Sequence, residues 1–174
     1  MMRNSLTTLA AGAMAFTLGA GLAPAANAQE AAGGKDYVGI NLGVANLVED
    51  KASVVGGIEY RARPLLWKFY PHVGGFVSHR GAVYGYAGVG IDLPLTDWVL
   101  IRGNTAIGAY GQGDDRDLGS VVEFRSGLEL VFTLPNESQI GVAFHHLSNA
   151  GLDDRNPGTE IATVSYSVPL DKLF

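Results

Sequence analysis

The chain has 174 residues, a net charge of −5 and no cysteine, so disulfides play no part and no basic run suggests nucleic acid as a partner. Its length allows one domain. Hydrophobic residues make up 47%, glycine numbers 24 and mean hydropathy is above zero, a balance that fits a compact β protein or a membrane barrel.

The first element is a secretory signal. Arg3 gives a short positive start, Leu6 to Leu22 is apolar apart from Thr and Gly, and Pro24 precedes Ala26-Asn27-Ala28. Small residues at those last positions predict cleavage after Ala28, so residues 1–28 form a signal peptide and 29–174 the mature domain. A retained membrane anchor is the competing reading. The short, Gly-rich apolar run and the good cleavage site disfavour it.

From Lys35 onward the hydrophobic period is two. Val38, Ile40, Leu42 and Val44 alternate with Gly39, Asn41 and Gly43, and Ile58 and Tyr60 oppose Glu59 and Arg61. Val99, Ile101 and Ile107 share a parity opposite to Arg102 and Asn104. Between Ser120 and Phe132 the alternation is clearest. Val122, Phe124, Leu128, Leu130 and Phe132 share one face, interrupted only by Ser126, while Glu123, Arg125, Gly127 and Glu129 take the other. The next segment, Gln139 to Ser148, puts Ile140, Val142, Phe144, His146 and Ser148 on one parity, with His145 on the other. The last carries Glu160, Ala162, Val164, Tyr166, Val168 and Leu170 on one face and ends at Phe174, a terminal aromatic like that of many outer-membrane barrels.

Turn signals at 48–52, 63–68, 79–81, 94–97, 112–119, 135–137 and 149–158 divide this pattern into eight strands of about 10 to 13 residues, suited to a tilted membrane crossing. The predicted fold is all-β: an eight-stranded antiparallel transmembrane β-barrel. Its apolar parity faces lipid, and its charged parity fills a narrow lumen with paired side chains, Glu59, Arg61, Arg102, Glu123, Arg125 and Glu129 supplying both signs. A soluble lipocalin-like or sandwich protein is the rival architecture, because alternation alone does not separate lipid from core.

One hairpin carries chemistry. Its strands are antiparallel neighbours, so His146, Ser148 and Glu160 share the lipid-facing wall at one rim, and Ser148 and Glu160 are expected to approach each other across the loop 149–159. Polar groups on such a wall are costly unless they pair or function. Serine, histidine and a carboxylate together make an activated nucleophile. Taken singly, each is an ordinary rim residue.

The run FHHLSNAGL followed by NPGTE resembles the active-site hairpin of the PagL family, outer-membrane lipid A 3-O-deacylases. That family's motif, His-x-Ser-Asn-Ala/Gly-Gly with an Asn-x-Gly turn and a Glu, is met by His146, Ser148, Asn149, Ala150 and Gly151, by Asn156-Pro157-Gly158, and by Glu160. The strong match covers about the last thirty residues. The resemblance implies Ser148 as nucleophile, His146 as general base and acid, and Glu160 as its orienting partner. It further implies Asn156 and the Gly151 N–H as oxyanion donors, with Asn149 shaping the turn.

The resemblance also implies a serine esterase that removes the 3-hydroxyacyl chain at position 3 of lipid A, with no cofactor and no metal. Lipopolysaccharide and outer-membrane lipids would be its partners, and the usual barrel orientation would put the site at the outer leaflet. A homodimer is compatible with the sequence. The alternative is a non-catalytic barrel for adhesion or membrane integrity, in which Asp114, Asp115, Arg116 and Asp117 would bind cations or lipopolysaccharide phosphate bridges. His145 is read as structural, and His72 and His79 have no partner evident in the sequence.

Overall fold

The computed structural model describes residues 34–48 and 52–174. The expected signal peptide and residues 49–51 of the first expected turn lie outside the described residues. Eight strands follow in chain order: β1 (Tyr37–Ala45), β2 (Ser53–Arg61), β3 (Phe69–Ser78), β4 (Val83–Pro94), β5 (Val99–Gly111), β6 (Val122–Thr133), β7 (Gln139–Ser148) and β8 (Thr159–Pro169). Each pairs antiparallel with its sequence neighbours, and β1 pairs with β8, so the sheet closes on itself. Closure leaves no sheet edge, which makes a strand-built span tolerable in lipid.

The alternation in sequence becomes the two faces of the wall. Ile40, Leu42, Ile58, Val73, Val89, Ile107, Leu128, Val142, Phe144 and Val164 stand outward and exposed, as a lipid-facing belt requires. Trp67, Phe69, Trp98, Phe132, Tyr60 and Tyr166 gather towards the end of the barrel that holds the short turns 62–68, 95–98 and 134–138. Aromatic side chains there form an interfacial girdle.

Inside, the charged parity is partnered. Arg102 donates through Nε and Nη2 to the two carboxylate oxygens of Asp92, 2.8 and 3.0 Å, and through Nη1 to Glu129, 3.0 Å. Gln139 Oε1 accepts from both Arg102 and Arg61, 3.1 and 2.6 Å. Glu59 Oε2 accepts from Tyr86, Arg125 and His72 at 2.8, 3.2 and 3.3 Å. His72, unassigned from sequence, therefore belongs to the lumen network. Gly141 shows how little room is left: a Cβ there would fall on the Glu129 carboxylate and 2.5 Å from Ser165 Oγ.

Three expectations need correction. Glu123 is buried, but among the described residues no basic side chain pairs with its carboxylate, so the expected pairing of lumen charges fails at this residue. Pro94 is the last residue of β4 rather than the start of a turn, a place where its missing N–H costs no ladder bond. β8 stops at Pro169, and Leu170–Lys172 form a 3₁₀ turn that leaves Phe174 off the strand and fully exposed.

Candidate active site

β7 and β8 meet in a register that pairs His146 with Glu160 directly across the ladder. His146 Nδ1 lies 3.3 Å from Glu160 Oε1, and because a carboxylate only accepts, Nδ1 is the donor. Both side chains are on the outer wall, 46% and 26% exposed, so the pair faces outward rather than into the lumen. Ser148, expected near Glu160 across the loop, stands diagonal to it rather than directly opposite. Ser148 follows on the same face two residues beyond His146, a displacement of roughly 7 Å along a strand. No hydrogen bond engages its hydroxyl among the described residues.

The free edge of the imidazole turns towards the loop. A Cβ built on Gly158 would lie 3.0 Å from His146 Cε1 and 3.3 Å from Nε2. With Nδ1 held by Glu160, Nε2 is the ring nitrogen left unengaged among the described residues, at the rim where Ser148 stands. Gly158 has φ +62°, a conformation that penalises any residue with a Cβ. Gly158 was read from sequence only as part of a turn. Its second role, making space for the histidine, depends on a contact across strands that sequence spacing does not reveal.

Asn149 organises the loop. It is fully buried, and its Nδ2 donates to the Arg155 and Leu118 carbonyls, 2.7 and 3.2 Å. Its Oδ1 accepts from the Gly151 N–H at 2.9 Å, an Asx turn that already engages this proposed oxyanion donor. The Asn149 N–H donates to Asn156 Oδ1, 3.0 Å, which fixes the orientation of that amide and leaves the Asn156 Nδ2 without a partner among the described residues. Of the two proposed oxyanion groups, the Asn156 amide is thus the unengaged donor.

The segment 112–119 supports this loop from the side. Besides Leu118 O, it contributes Asp117, ion-paired with Arg155, and Arg116, whose Nη2 reaches Pro157 O at 3.4 Å. The Arg155 hydrogen bond holds the Asp117 carboxyl below its ordinary range. Asp115 accepts from Asn46 Nδ2, 2.7 Å, and Thr159 Oγ1 donates to Asn46 Oδ1, 2.7 Å, so the same segment ties β1 to the start of β8. Asp115, Arg116 and Asp117, weighed from sequence as cation or phosphate ligands, serve here as internal ties.

The other histidines lie apart from the site. His145 points into the lumen and is buried. His79 accepts from the Val54 N–H at 3.0 Å and lies 3.3 Å from Ser53 Oγ at the rim.

The profile of the family described as Lipid A 3-O-deacylase (PagL) matches residues 67–169, from the β2–β3 turn to the end of β8. The chain belongs to this family. A curated relative, Lipid A deacylase PagL of Bordetella bronchiseptica, is 36% identical over 53 residues, a match that spans only 30% of this chain and 30% of the relative. Among solved structures, the outer membrane enzyme PagL superposes with a TM-score of 0.63 at 19% identity, covering 77% of this chain and 99% of the other. Neisserial surface protein A aligns at a TM-score of 0.52 and 10% identity over 76% of this chain and 96% of its own. At those identities the two structures establish the outer-membrane barrel fold of this PagL-family chain, while membership rests on the profile.

Proposed function

We propose that this barrel is an outer-membrane serine esterase that removes the acyl chain ester-linked at position 3 of lipid A. The observation that carries the reading is the His146–Glu160 hydrogen bond on the lipid-facing wall, with Ser148 on the same face, in a chain of the PagL family. An esterase site on that wall suits a substrate that stays in the membrane. Facing the lumen, the same groups would meet packed side chains and no lipid.

In this reading Ser148 Oγ attacks the ester carbonyl and gives its proton to His146 Nε2, while Glu160 holds the imidazole through Nδ1 and stabilises its cationic form. Rotation about the Ser148 Cα–Cβ bond brings the hydroxyl to Nε2 as substrate binds. The Asn156 amide donates to the oxyanion, and the Gly151 N–H joins it by sharing its hydrogen with Asn149 Oδ1. The sugar hydroxyl leaves with the proton from His146. Water, activated by the same nitrogen, then hydrolyses the acyl-Ser148 ester and releases the fatty acid. The rim bearing the site faces the outer leaflet, with the girdle end periplasmic.

Mass spectrometry of lipid A from cells expressing the wild-type chain or Ser148→Ala tests this. The wild type should shorten lipid A by one acyl chain and release the free acid, and Ser148→Ala should do neither while folding normally. Activity retained by a folded Ser148→Ala barrel rules the reading out. A passive barrel would also escape labelling by a fluorophosphonate.

A further inference from the structure

The lipid-facing wall is apolar almost everywhere. Apart from Tyr60 and Tyr166 towards the girdle end, the polar side chains on the outward parity of the eight strands are Thr105, Ser126, His146, Ser148 and Glu160. They are not scattered. Register pairs Glu160 with His146, His146 with Ser126, and Ser126 with Thr105, one continuous row across β8, β7, β6 and β5. Ser126 is thus the neighbour of His146 on the side away from Glu160.

The row runs obliquely away from the rim. Glu160 is the second residue of β8, His146 the third from the end of β7, Ser126 the fifth of β6 and Thr105 the seventh from the end of β5. The row therefore offers a path for an acyl chain whose ester sits at Ser148 and whose tail enters the hydrocarbon. Larger side chains border the row, with Phe124 and Ile107 paired on its rim side and Phe144 and Leu128 paired on its other side. The small Ser126 and Thr105 therefore floor a shallow trough that starts at the histidine.

Both hydroxyls are exposed on this wall, and neither makes a hydrogen bond among the described residues. In the lumen, by contrast, the Ser165 hydroxyl donates to Glu129 and the Thr159 hydroxyl to Asn46. An unpartnered hydroxyl facing hydrocarbon is unfavourable unless something bound there uses it. Adjacent strands lie about 4.8 Å apart, so a group bonded to Ser126 sits within a few bonds of an ester carbon held beside His146.

We propose that Ser126 is a specificity-determining residue whose hydroxyl binds a polar substituent on the acyl chain close to the scissile ester, so that the enzyme prefers 3-hydroxyacyl esters to unsubstituted ones. This rests on the esterase reading above. Thr105 continues the same hydroxyl floor one strand further along.

The test uses the full mature chain folded in detergent and two synthetic monosaccharide lipid A analogues. They carry either a 3-hydroxytetradecanoyl or a tetradecanoyl ester at position 3. One net hydrogen bond of about 1 kcal/mol corresponds to roughly a five- to tenfold preference in kcat/KM for the hydroxylated ester. Ser126→Ala should bring that ratio close to one, and Ser126→Thr, which keeps the hydroxyl, should restore it. Heat-dependent gel mobility verifies that each variant folds. An unchanged ratio in Ser126→Ala overturns the inference and leaves the esterase reading standing. An equal fall for both esters also overturns it, because the hydroxyl would then be holding the sugar. If the wild type cleaves neither analogue nor lipid A, the esterase reading fails and the inference fails with it.

Discussion

Glu160 faces His146 across the β7–β8 ladder, and its Oε1 lies 3.3 Å from the imidazole Nδ1. Direct pairing across antiparallel strands needs no loop to hold it, since backbone register alone sets the separation. In the proposed mechanism the carboxylate therefore orients the histidine and stabilises its charged form. Glu160→Ala is expected to lower kcat by about 100-fold, within the range for an acid–base group that is impaired but not removed. Glu160→Gln, which can still accept from Nδ1 but carries no charge, should fall between. Steady-state deacylation with a folded-barrel gel assay measures both, and a variant with wild-type kcat would separate Glu160 from the chemistry.

Gly158 combines a left-handed backbone with a position where any Cβ would press on the His146 imidazole. A left-handed conformation costs an L-residue about 1–2 kcal/mol, and the new Cβ would press on His146 Cε1 and on Leu147 O, each 3.0 Å away. Gly158→Ala is expected to reduce kcat roughly tenfold, from the misplacement of a reacting group. Gly158→Val should abolish turnover. Neither should prevent barrel formation, because the residue lies outside the strands. Kinetics paired with gel mobility would show activity lost ahead of folding.

The barrel was legible because one rule governs the chain. Strict alternation between Val122 and Phe132, or Gln139 and Ser148, has only one use in a closed sheet, and the turn residues between such runs set the strand count. The same parity separated His146 from His145. Relations across strands were not legible from the alternation, because register is fixed by the whole sheet, and only the family resemblance named Glu160 as the partner of His146. Nothing local pairs Glu160 with His146 rather than with Ser148, and nothing local places Ser126 beside His146. Asp117 and Arg155 are 38 residues apart, and their pairing appears only once the two longest rim loops are folded together. Leu170 kept the alternating pattern but left the strand after Pro169, where proline's missing donor ends the ladder.

Arg102 tests the lumen as a stabilising network. It is almost completely buried and binds Asp92, Glu129 and Gln139. Arg102→Met would leave two carboxylates buried without their counter-charge, a change that typically costs about 3–5 kcal/mol. The expected result is a clear drop in the urea midpoint of the barrel in lipid vesicles. Adding Asp92→Leu and Glu129→Leu should recover most of it, because removing the whole buried group is far less costly than breaking it. Failure of the triple variant to recover would show that the network defines packing as well as charge balance.

The Asp117–Arg155 pair predicts how the active-site loop responds to acid. The Arg155 hydrogen bond lowers the Asp117 pKa from its ordinary 3.8. A carboxyl with a depressed folded-state pKa stabilises the fold fully above its ordinary value and loses that contribution as pH falls through the lower, folded value. The clamp should therefore hold at pH 7 and still at pH 4, and loosen only below the ordinary carboxylate range. Asp117→Asn should mimic the acid state at neutral pH. Hydrogen exchange of amides 112–119 and 149–158 is the direct readout, since Asn149 bridges the two segments through the Leu118 and Arg155 carbonyls. Faster exchange in Asp117→Asn should come with weaker deacylation, because Asn156 is held by the Asn149 N–H in the same loop. Both ions are exposed, so the effect should shrink in high salt. If exchange in both segments is the same in Asp117→Asn as in the wild type at pH 7, the pair does not hold the loop and the Asn149 and Arg116 contacts do.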